Sequence, residues 1–152
     1  MFGRRKPKTF EEMVTELEEK IREEERGYYG ERMVEEALQP KNVGELEHPD
    51  GTASITDSEG DTMQVHLRID GNTIRDSKFI TNARGPVIAF GSVITELVKG
   101  KTVDEAAELG EDAIVSVLGG LPEDDPHTPE LAVRTLRAAL DDYKKQQEGH
   151  QK

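Results

Sequence analysis

The sequence contains no cysteine, which removes disulfides, thiolate metal ligands, thiol nucleophiles and sulfur-ligated clusters together. Tryptophan is also missing, and four Phe with three Tyr bring the aromatic share to only 5%, so any core is chiefly aliphatic. No apolar run approaches the roughly 20 residues that a spanning helix requires, so no membrane segment is expected. The opening Met1-Phe2-Gly3-Arg4-Arg5-Lys6 is basic, but it leads through Pro7 into an acidic stretch without the apolar segment of a secretory signal. A cytoplasmic location is therefore expected. Positive charge is scarce as well: 20 Lys and Arg stand against 32 Asp and Glu, a formal net charge of -12. A field of that sign repels polyanions and argues against a general nucleic-acid binder. Solubility is the plainest reading of the surplus acid, with basic partners left open.

What is present fits one core of ordinary size, 152 residues in all. Thr9 followed by Glu12 is a capping-box pattern, and Phe10, Met13, Val14, Leu17 and Ile21 recur at helical spacing up to Gly27. This amphipathic helix is expected to pack on its own domain, with a partner or homodimer contact as the alternative. A second short helix is predicted over residues 28–38, stopped by Pro40. The period then changes to two. Residues 52–56, 63–69 and 74–81 alternate apolar and polar side chains, with Asp70-Gly71-Asn72 as a hairpin turn and His66 on the expected wet face. Helical spacing returns from Pro86 to Val98, ending at Gly100. Thr102 with Glu105 caps a short helix, another covers residues 111–118, and residues 121–126 form an acidic loop. Thr128 and Pro129 open a last helix with Leu131, Val133, Leu136, Ala139, Leu140 and Tyr143 inward. The fold class predicted is α+β: a three-stranded antiparallel sheet with helices on one face, plus an extra N-terminal helix. The division is a helical extension over residues 1–27, a domain over 28–147 and a tail over 148–152.

Several segments, in order, resemble the NifU/IscU-like iron-sulfur scaffold family. They are Tyr29-Gly30-Glu31-Arg32-Met33, Gln39-Pro40-Lys41-Asn42-Val43-Gly44, Gly60-Asp61, Ile94-Thr95-Glu96-Leu97-Val98-Lys99-Gly100-Lys101 with Asp104-Glu105-Ala106, and Ala138-Ala139-Leu140-Asp141-Asp142-Tyr143-Lys144. The resemblance spans residues 28–146 and leaves the leading helix outside. It implies a fold whose members hold a nascent cluster on three cysteines, assisted by an Asp and a His, with sulfur delivered by a cysteine desulfurase. Laid on this sequence, the cysteine positions fall at Glu59, Arg84 and Thr128, while the Asp and His persist as Asp61 and His127. The family's chaperone-recognition segment is represented by Leu121-Pro122-Glu123-Asp124-Asp125. Its basic end has become acidic, which weighs against an Hsp70-type partner. A desulfurase or another assembly protein remains the implied partner, and the extra helix offers a route to a homo-oligomer.

Clusters need soft sulfur donors, and persulfide transfer needs a thiol, so assembly in the family's manner should fail here. Three readings of the altered pocket stand. Arg84 pairs with Glu59 or Asp61 and closes the site, which is the favoured reading. Alternatively Glu59, Asp61 and His127 hold a single Zn, Fe or Mn ion, against the Coulomb cost of a nearby guanidinium. A third reading uses Arg84 and the start of the helix at Gly85-Pro86 as an anion pocket. No cofactor is expected beyond a single Zn or Fe ion. No catalytic constellation is present, so an enzyme is not expected. The functions weighed are an accessory role in cluster assembly, a non-catalytic interaction or regulatory protein, and a mononuclear metal-binding protein.

Overall fold

The computed structural model describes residues 9–122 and 127–150. The chain runs through α1 (Phe10–Tyr29), α2 (Glu31–Leu38), β1 (Gly51–Thr56), β2 (Thr62–Asp70), β3 (Thr73–Thr81), α3 (Pro86–Val98), α4 (Val103–Ala107), α5 (Glu111–Leu118) and α6 (Glu130–His150). The strands form one antiparallel sheet in the order β1-β2-β3. This is the predicted α+β arrangement.

Alternation in β2 sends Met63, Val65, Leu67 and Ile69 to one face, where all four are buried. Helix α6 covers β1 and β2 there, and α3 covers β3. Phe79, Phe90, Ile74, Ile94, Leu136 and Leu140 join them in the core, fully enclosed. Each such side chain contributes about 1.5–3 kcal/mol of burial. Between β2 and β3 a two-residue turn needs left-handed backbone at both positions, which Gly71 and Asn72 supply with φ of 57° and 70°. Thr102 and Glu105 make both bonds of the capping box at α4. The contact with the Thr102 backbone N–H and hydroxyl holds the Glu105 carboxyl below its usual range.

Several expectations are corrected. Helix α1 runs through Gly27 to Tyr29 and stops at Gly30, whose φ of 83° breaks helical geometry. A lone Gly costs only about 1 kcal/mol inside a helix, too little to end it. Residues 148–150, assigned to a tail, continue α6, which itself begins at Glu130. His66 is buried, because residues 44–50 cross the sheet's outer face above it. The Leu46 amide donates to His66 Nδ1 at 3.3 Å, and Arg68 Nη1 donates to the His48 carbonyl at 2.7 Å. The apolar stripe of α1 does not pack on its own domain at its start: Phe10, Met13, Val14 and Leu17 are all exposed.

Candidate functional site

The loop between β1 and β2 is organised by its first residue. Asp57 Oδ1 accepts from the Glu59 amide at 2.9 Å and from the Asp61 amide at 3.0 Å, while the Asp57 amide donates to the Asp61 carbonyl at 2.9 Å. Gly60 takes the left-handed position, with φ of 86°. From beyond β3, Asn82 clamps the same loop, accepting from the Thr62 amide at 2.8 Å and donating to the Gly60 carbonyl at 3.2 Å. The loop thus closes like an Asx turn, a local geometry written into Asp-Ser-Glu-Gly.

Beside it, the chain entering α6 brings His127, Thr128 and Glu130. A cavity of about 240 Å³ lies between them, lined by Asp57, Ser58, Glu59, Asp61, Val87, His127, Thr128, Glu130, Leu131 and Arg134. Glu59, Asp61, His127 and Thr128 therefore line one cavity. Arg84 does not line it: the residue is exposed, and among the described residues it forms no ion pair with Glu59 or Asp61. The closing salt bridge favoured from sequence is not formed. The cation at the cavity is instead Arg134, one helical turn beyond Glu130, with Nη1 4.0 Å from Glu130 Oε1. Its i,i+4 spacing from Glu130 was the available signal. Among the described residues no three His, Asp or Glu side chains stand in a metal-ligating array. Carboxylates, an imidazole and a hydroxyl are hard or borderline donors, so this donor set does not fit an iron-sulfur cluster. Residues 123–125 of the Leu121-Pro122 segment lie outside the described residues.

A second polar assembly fixes the turn at residues 39–44. Buried Glu36 accepts from Ser92 Oγ at 3.1 Å and pairs with Lys41 Nζ at 3.5 Å, and the Lys41 amide donates to Ser92 Oγ at 2.8 Å. Asn42, at φ 65°, donates from Nδ2 to Thr95 Oγ1 at 3.2 Å and to Glu96 Oε2 at 3.0 Å. The Asn42 bond, with help from the Lys99 charge, holds the Glu96 carboxyl below its usual range. The Phe79 amide donates to the Asn42 carbonyl and the Gly44 amide to the Phe79 carbonyl, each at 2.9 Å, which ties the turn to β3. Leu38 and Val43 remain exposed beside it.

Comparison with known proteins bears on both features. The family described as NifU-like N terminal domain matches residues 28–150. The iron-sulfur cluster assembly scaffold protein IscU 1 of Archaeoglobus fulgidus is 37% identical over 116 residues, covering 76% of this chain and 76% of its own length. The scaffold protein IscU of Haemophilus influenzae is 38% identical over 124 residues, covering 78% of this chain and 98% of its own. Among solved structures, a candidate iron-sulfur cluster assembly scaffold protein for the SUF system of Fervidobacterium islandicum superimposes with a TM-score of 0.62. It is 22% identical and covers 76% of this chain and 98% of that one, a likeness of fold.

Proposed function

Because the chain belongs to the NifU-like N-terminal domain family, we propose that it serves iron-sulfur cluster assembly as an accessory, partner-binding member that ligates no cluster itself. One observation carries this reading. The sequence has no cysteine, and the cavity beside Asp61 and His127 offers oxygen and imidazole donors together with the Arg134 guanidinium. Such a site neither accepts sulfur nor satisfies several irons with soft ligands. Two surface segments support a binding role, the 39–44 turn and the 57–61 loop, each held by side-chain hydrogen bonds. A cysteine desulfurase or another assembly protein is the partner this reading calls for. The role is non-catalytic, in keeping with relatives described as scaffold proteins. Among the described residues no helix is long and apolar enough to cross a membrane.

Anaerobic incubation with ferrous iron and sulfide tests the proposal. After desalting, the protein should retain no visible charge-transfer absorption; a stable chromophore at stoichiometric iron overturns it. The second reading is a single Zn or Fe ion at Glu59, Asp61 and His127. It rests on their lining one cavity and requires the donors to rearrange before they can converge. Metal analysis of the purified protein, with Asp61→Ala beside it, decides that reading.

A further inference from the structure

The first half of α1 stands away from the core. Every residue from 9 to 19 is exposed, including Phe10 at 80%, Met13 at 55% and Leu17 at 59%. The helix meets the rest of the molecule chiefly through α2. Its start is nonetheless made properly, with Thr9 Oγ1 accepting from the Glu12 amide at 3.1 Å. A lone helix of this length is marginal in water, and stability normally comes from covering its apolar face. At 3.6 residues per turn, Phe10, Met13, Val14 and Leu17 make one stripe, bordered by Glu11 and Glu18 on one edge and Glu16 on the other.

The bordering charges decide what covers it. Residues 9–19 hold five Glu and no Lys or Arg. A second copy laid on the stripe sets acid against acid in either orientation: antiparallel helices oppose Glu11 and Glu18 with themselves, and parallel ones oppose them with Glu16. An anionic lipid surface repels the same edges, whereas helices that lie on membranes carry Lys and Arg there. We propose that the Phe10, Met13, Val14 and Leu17 face of α1 docks into an apolar groove edged by Lys and Arg on a partner protein. The stripe supplies the buried area, and Glu11 and Glu18 set orientation and approach.

The test uses the full chain with a photo-cross-linking amino acid at Met13, irradiated in its native cells, and maps the contact peptide by mass spectrometry. The contact surface should combine apolar and basic residues. Recovery should be lost in Leu17→Glu and in the double variant Glu11→Lys with Glu18→Lys, and, when irradiation is repeated in an extract of those cells, should fall about tenfold as salt rises from about 0.1 to 0.5 M. Both variants change exposed positions, so the domain stays folded. Cross-linking to a second copy of the chain, retention on phosphatidylcholine–phosphatidylglycerol vesicles or a contact surface without Lys or Arg would each overturn the proposal. So would recovery indifferent to charge reversal, or no cross-link at all.

Discussion

Asp57 Oδ1 accepts two backbone amides, those of Glu59 and Asp61, and so shapes one wall of the cavity without being one of its assigned ligand positions. Asp57→Ala leaves both donors without that partner. It should cost about 1–2 kcal/mol and speed hydrogen exchange at the two amides, while Asp57→Asn keeps most of the protection. Unchanged exchange in the Ala variant would remove Asp57 from this role. Glu96 carries a pH signature. Its carboxyl is held below the ordinary 4.5 by Asn42 first and Lys99 next. The folded state therefore binds this proton less readily than the unfolded chain does. The contribution is complete above the unfolded-state value and fades as pH falls through the folded-state one. Asn42→Gly tests the cause without backbone strain, since Asn42 sits at φ 65°. A carboxyl NMR titration should show Glu96 moving upward in that variant; no movement assigns the shift elsewhere.

Helix α3 can lie close on the sheet because Gly91 presents no side chain to β3. A Cβ there would stand 2.5 Å from two ring carbons of Phe79, which is itself buried. Gly→Ala inside a helix ordinarily gains about 1 kcal/mol. Overpacking a full core costs about 1–3 kcal/mol, so the clash should win. Gly91→Ala is expected to lower the denaturation midpoint, and Phe79→Leu in the same chain should recover part of the Gly91→Ala loss by making room. A neutral or stabilising Gly91→Ala would mean that α3 lifts off without cost. At this scale the sequence was legible where one residue decides the geometry, as at the Gly71-Asn72 turn and the Thr102 capping box. It misled at Gly27, where composition pointed to an ending that the backbone makes at Gly30.

The core among the described residues begins with Met33 in α2, so removal of residues 1–29 should leave the folded domain intact. Cooperative melting should persist, with a midpoint within about 5 °C of the full chain, the shift expected for a change near 1 kcal/mol. Loss of cooperativity would make α1 part of the core. The shortened chain keeps the cavity and the 39–44 turn, so any partner it loses is one held by α1. Local periodicity was enough to specify three strands, the helices over the sheet and the α+β class, because the apolar faces of β2, α3 and α6 each have one low-energy way to reach the interior. Composition alone removed thiolate sulfur from the donor set. Which cation stands at the cavity was decided only by tertiary structure: Arg84 points to solvent, and Arg134, one helical turn beyond Glu130, lines the wall. Burial of His66 and exposure of Phe10 were decided the same way. Pattern tells a side chain which face of its own element it occupies, but whether another segment covers that face depends on contacts between residues far apart in the chain.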